Sequence, residues 1–210
     1  MNIQGKHVTL RAVEQEDVPL LHKWANDPEI WYMLGGWHFP CNLESTQKWF
    51  ESLRSDHLNQ RFVIDTPDLG VIGSANLVDI DWKNRTAFHG MMLGDKEIRG
   101  KGFGVDSVMA VMKYAFEELD LERLDGSMIE YNAASLKLYL DKCGWKEEGR
   151  QRAWYFRQNR RWDRILVGVT KADYFDLIKQ KDYWAASRNP VSGKLEIINN
   201  NAVVKPVLAQ

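Results

Sequence analysis

Arg99-Gly100-Lys101-Gly102-Phe103-Gly104 decides how this chain reads. It lies between residues 88–93, whose composition predicts a β-strand, and residues 103–119, whose apolar spacing predicts an amphipathic helix. Three glycines in this short run let backbone N–H groups close on an anion, because no Cβ stands in the way. The following helix aims its positive N-terminus at the same point. Arg99 and Lys101 add formal charge. The stretch predicts a pyrophosphate seat built largely from main chain.

Its spacing excludes two common phosphate loops. A Walker loop needs Lys and Ser or Thr directly after its second glycine, and neither follows here. The Rossmann pattern G-x-G-x-x-G is matched only at Gly100 and Gly102, since Val105 stands at the third glycine. A bare Gly-rich turn is also an ordinary strand-to-helix connection, so its neighbours carry the decision.

Outward from the run, residues 7–11 alternate and predict a first strand. Residues 14–25 place Val18, Leu21, Trp24 and Ala25 on one helical face, and Asp27-Pro28 closes that helix. Residues 30–42 read as an irregular aromatic loop and 43–55 as a second helix. Residues 61–65 and 71–79 predict strands joined by Thr66-Pro67-Asp68-Leu69-Gly70, and 86–93 another. On the third helix, Val105, Val108, Met109, Met112, Ala115, Phe116 and Leu119 form a core stripe. Residues 124–129 predict a strand, 133–142 a helix, 145–155 and 161–170 a hairpin, and 172–184 a last helix. Such an order predicts an α+β fold with a mixed, mostly antiparallel sheet.

R-x-x-G-x-G, read at Arg99, Gly102 and Gly104, resembles the acyl-CoA pyrophosphate loop of the GNAT superfamily of N-acetyltransferases. A second block, Asn132-Ala133-Ala134-Ser135 with Leu138-Tyr139 and Cys143-Gly144-Trp145, resembles that family's N-x-x-S-x-x-L-Y segment and the glycine-aromatic pair after it. Both blocks stand in the family's order and spacing. The resemblance covers residues 6–170 and is nearest the ribosomal-protein-alanine and polyamine acetyltransferase branch. It implies a GNAT fold, a central sheet flanked by about four helices. Residues 1–170 would form the acetyltransferase domain and 171–210 a C-terminal extension, packed on the body, packed on a partner subunit of a homodimer, or loose.

The resemblance also implies roles. Arg99, Gly100, Lys101, Gly102, Phe103 and Gly104 would hold the pyrophosphate of acetyl-CoA. Main-chain groups of Met91 and Leu93 would hold its pantetheine arm, and Asn132 would touch it. Tyr139 would hydrogen-bond the sulfur and protonate the departing thiolate. The base is less clear, because Phe88 stands where relatives carry Glu. His89 and His38 are candidate bases, with an ordinary pKa of about 6.5 suited to the work. Strand alternation sends His89 to the face opposite Phe88. Asp163 or Glu130 acting through water is another option. Trp31, Tyr32, Trp37 and Phe88 would line the acceptor pocket.

A formal net charge of −1 on 210 residues gives no global field to draw nucleic acid or a membrane. Two cysteines, Cys41 and Cys143, are too few for a disulfide framework or a zinc site. Residues 1–7 carry no apolar core of a signal peptide, so a cytoplasmic protein is expected. Arg150, Arg152, Arg157, Arg160, Arg161 and Arg164 alternate with Trp154, Tyr155, Phe156 and Trp162. That mixture suits single-stranded nucleic acid, but equally a solvated hairpin or the recognition of an acidic acceptor; nucleic acid is not expected as a partner. The expected activity is acetyl transfer to a primary amine of a small molecule: an amino sugar, nucleotide-linked or not, or a polyamine. A protein N-terminal α-amine and a silent CoA-binding module are the alternatives.

Overall fold

The computed structural model describes residues 2–36 and 39–185. Trp37, His38 and the tail from residue 186 lie outside the described residues. Eight strands, β1 (Ile3–Gln4), β2 (Thr9–Ala12), β3 (Gln60–Thr66), β4 (Gly70–Asp81), β5 (Thr86–Leu93), β6 (Arg123–Ile129), β7 (Lys146–Arg157) and β8 (Arg160–Thr170), form one sheet. Their order is β1-β2-β3-β4-β5-β6-β8-β7. Within it β5 and β6 run parallel and the other neighbours antiparallel. The mixed, mostly antiparallel α+β fold read from the sequence is what forms.

Helices α1 (Val18–Ala25), α2 (Pro28–Met33) and α3 (Leu43–Ser52) lie between β2 and β3. After β5 comes α4 (Phe103–Lys113), after β6 the single turn α5 (Ala133–Leu136), and after β8 α6 (Lys171–Lys181). The α2 helix corrects the loop expected over 30–42. Asp27 accepts N–H bonds from Glu29 and Ile30, and Pro28 sits at the first helical turn. Asp-Pro therefore stops α1 and starts α2, since a proline without N–H suits a first turn.

Two helices finish in wide turns that the periodicity did not show. The third helix passes from α4 into a π turn over Tyr114–Glu118, and α5 into another over Lys137–Lys142. π turns of this kind often sit at functional sites, and the second one carries Tyr139.

Each face of the sheet has its own core. On one, Leu10, Ile64, Leu77, Leu124 and Ile165 pack against Val108, Met109, Met112 and Phe116. Each of these fully buried side chains contributes about 1.5–3 kcal/mol. On the other, Leu21, Trp24 and Ile30 pack against Val63 and Met92. The third helix is more deeply enclosed than a single stripe, because Ala110 and Val111 are also fully buried. Asp106, one turn before Ala110, explains the extra cover: its carboxylate accepts the N–H groups of Lys6, His7 and Val8 and the hydroxyl of Tyr183. The N-terminal segment and the region after α6 thus close over α4. Tyr174 of α6 is fully buried and donates to Glu117 at 2.6 Å.

Candidate active site

The parallel register of β5 and β6 lasts three residues: Thr86 with Arg123, Ala87 with Leu124, and Phe88 with Asp125. Beyond that, β5 runs on to Leu93 and β6 to Ile129 with no pairing between them. The strands splay, leaving two facing main-chain edges. Such an edge is a template for an added extended segment. Gly90, Met91, Gly126, Ser127, Asn132 and Tyr139 border the opening, which leads into a cavity of about 750 Å³.

The Gly-rich run stands at the far end of β5. Gly100 and Gly102 hold φ of 77° and 91°, the left-handed region that favours glycine. Gly102 begins α4, and no side chain caps the helix there. The first intrahelical bond goes from Asp106 N–H to Gly102 C=O, so the N–H groups before Asp106 face outward. A Cβ on Gly100 or Gly102 would meet no atom within 4 Å. Open space over an uncapped helix end, with exposed Arg99 and Lys101 beside it, fits a pyrophosphate. Gly104 serves packing instead: a Cβ there would lie 2.6 Å from Leu138. Half-buried Phe103, Met91 and Leu93 rest against the main core.

His89 and Phe88 point to opposite faces, and the splay lets both line the same cavity. Tyr139 is 5% exposed, edge-on to Trp145 at 5.0 Å and 5.8 Å from the His89 ring. Burial raises its pKa, so its hydroxyl stays protonated through the physiological range. His89 Nδ1 lies 2.8 Å from the carbonyl of Asn76. A carbonyl only accepts, so Nδ1 carries the hydrogen. Nε2 then presents a lone pair, shielded from water and with no protein partner among the described residues.

Burial pushes the His89 pKa down to about 4. The unfolded chain binds a proton here near the ordinary His value of about 6.5, and the folded chain only near the lower one. His89 therefore costs nothing above about pH 6.5, and stability falls as pH drops from there through about 4. Its share of that loss is on the order of 3 kcal/mol. Urea unfolding at several pH values checks this: His89→Gln loses less stability than wild type on acidification, and equal losses contradict it.

The other expected residues are distributed as follows. Tyr32 stacks on Tyr131 at 4.6 Å, and Trp31 lies under the Arg157 guanidinium at 4.7 Å. Neither borders the cavity; Met33, Leu34, Gly35 and Gly36 do so in their place. Asn132 caps α5 through Ser135 N–H and donates to the carbonyl of Met33 at 3.2 Å, with its side chain on the cavity wall. Glu130 and Asp163 both face Arg150 and are absent from the lining.

Residues that the sequence did not single out complete the cavity. Leu21, Thr46 and Trp49 roof it, while Arg61, Asn76 and Arg164 form its floor with Phe88 and Gly90. Asn76 holds the floor together, since its side chain accepts Gly90 N–H while its carbonyl takes His89. Only the Arg-aromatic alternation pointed at Arg164. Of the other arginines in that cluster, Arg160 lies over Trp162, Arg161 over Phe156 and Arg157 over Trp31, and Arg150 pairs with Glu130.

The family model of the acetyltransferase (GNAT) domain matches residues 7–146. The SPbeta prophage-derived uncharacterized N-acetyltransferase YokL of Bacillus subtilis is 29% identical over 171 residues, covering 81% of this chain and 93% of that protein. The spermidine N(1)-acetyltransferase of Vibrio cholerae is 27% identical, over 82% and 98% of the two chains. The crystal structure of spermidine N-acetyltransferase from Vibrio cholerae in complex with CoA and spermine superposes with a TM-score of 0.73. It is 24% identical and covers 80% of this chain and 98% of that one. A strand gap, an uncapped Gly-rich helix start and a family model spanning both converge: this chain belongs to the GNAT family and is an acetyl-CoA-dependent N-acetyltransferase.

Proposed function

We propose that the chain acetylates a primary amine of a small molecule, by direct transfer within a ternary complex. The supporting observation is the cavity itself. It joins the gap between β5 and β6 to a walled chamber under α1 and α3 on the opposite face. A protein terminus needs an open groove; here Leu21 and Ala25 of α1 and Thr46 and Trp49 of α3 join the sheet in bounding the chamber.

Acetyl-CoA, when bound, supplies a thioester. Arg99, Lys101 and the N–H groups at the start of α4 hold the pyrophosphate, and the free edges at 89–93 and 126–129 take the pantetheine arm. A main-chain N–H on that edge polarises the thioester carbonyl. Tyr139, kept protonated by burial, donates a hydrogen bond to sulfur as negative charge gathers there. His89 is neutral at physiological pH, and its Nε2 can only accept. As its nitrogen bonds the acetyl carbon and the carbon–sulfur bond breaks, the amine would shed one proton to Nε2, and that proton would end on the departing coenzyme A sulfur, giving the amide and the free thiol.

Incubation of the protein with acetyl-CoA and a panel of amines, read by mass spectrometry, tests the proposal. Acetylation of at least one small amine is expected. Acetylation confined to peptide N-termini contradicts it, as does acetyl-CoA binding without turnover on any amine.

A further inference from the structure

We propose that the acceptor amine is carried on an anionic molecule, whose phosphate or carboxylate is held by Arg164, with Arg61 adding positive charge on the other side of the cavity. This rests on the function proposed above and names the class of its substrate. Among the described residues lining the cavity there is no Asp or Glu, and there are two arginines.

Those two arginines lack the carboxylate partners that four others have. Arg11, Arg85, Arg123 and Arg150 each make an ion pair with a carboxylate. Arg61 and Arg164 make none among the described residues. The Nε of Arg164 is shut off from water with no hydrogen-bond partner, and its guanidinium lies 5.1 Å from the Trp154 ring. Its cross-strand neighbour Gln151 likewise leaves its side-chain oxygen unpartnered. Buried donors without acceptors are costly, and a guanidinium is shaped to take a phosphate or carboxylate through two parallel bonds.

Register places the pair on either side of the reacting centre. Arg61 stands opposite Asn76, which stands opposite Gly90. Directly opposed residues share a sheet face, so Arg61 lies on the Phe88 and Gly90 side. Arg164 stands opposite Ile129, at the open end of the gap. Trp154, 52% exposed, adds a flat apolar surface at the mouth.

A polycation finds no counter-charge here. Glu29 is held by Lys96 and Glu44 by Lys48, both away from the lining. The relative named for spermidine therefore does not predict the charge of this chain's acceptor.

The test uses matched amines that differ in the anion alone: glucosamine 6-phosphate against glucosamine, and methionine against methioninamide, with spermidine as the polycation. Rates of thiol release give kcat/KM for each. At least one anionic member is expected to exceed its neutral partner by about tenfold or more, mostly through KM. The phosphate and carboxylate arms distinguish the two sources of negative charge. Arg164→Gln reduces that preference about tenfold, whereas Arg164→Lys, which keeps the charge and loses the two-pronged fork, retains part of it. A spermidine optimum or no charge preference overturns the proposal while leaving amine acetylation intact. Equal loss of preference in both variants, as a packing role would give, also overturns it.

Discussion

Gly102→Glu weakens acetyl-CoA binding at least about 100-fold in isothermal titration calorimetry. Two effects combine. Gly102 sits at φ 91° at the start of α4, and a residue with a Cβ pays about 1–2 kcal/mol to stay left-handed there. The new carboxylate also enters the open space above the helix end, where it meets the pyrophosphate with like charge. Gly102→Ala separates the two, since it adds strain without charge and should weaken binding about tenfold or less. Unchanged affinity in Gly102→Glu would remove the phosphate seat from the loop.

Tyr139→Phe lowers kcat about 100-fold and leaves acetyl-CoA affinity within about twofold. The variant keeps the ring that packs edge-on against Trp145, so the fold has little reason to change. What it removes is a hydroxyl held in its protonated form by burial. A donor that acts on the departing sulfur changes turnover and not ground-state binding. Wild-type turnover in steady-state assays would strip Tyr139 of its part in the chemistry.

The proposed donor half of the site can be read from the sequence because it is local. Arg99 to Gly104 is one turn, and Asn132 to Trp145 is one helix with its exits. Glycines at positive φ and a helix start leave marks in the residues themselves. The proposed acceptor half is made by sheet register instead. Arg61, Asn76, Phe88 and Arg164 come from β3, β4, β5 and β8, and no spacing along the chain brings them together. The aromatic loop shows how composition misleads there: Trp31 and Tyr32 read as pocket walls, but they belong to α2 and are spent on Arg157 and Tyr131. His89 shows the same limit in electrostatics. Its ordinary pKa suited a base, but burial beside Tyr139 and Trp145 lowers it to about 4, which no residue pattern announces.

Among the described residues, no helix is long and apolar enough to cross a membrane, and no group of side chains could hold a metal ion. The cavity carries one further nucleophile to weigh. Cys41 borders the cavity, its sulfur 3.7 Å from the Thr46 hydroxyl. Cys143 is fully buried, and burial pushes its thiol up to about 12. Two-substrate initial-rate kinetics, with acetyl-CoA varied at several concentrations of the best amine, tests direct transfer in a ternary complex most directly. Intersecting double-reciprocal lines, with no acetylated protein after acetyl-CoA alone, are the expected result. Parallel lines with acetyl trapped on Cys41 would contradict it.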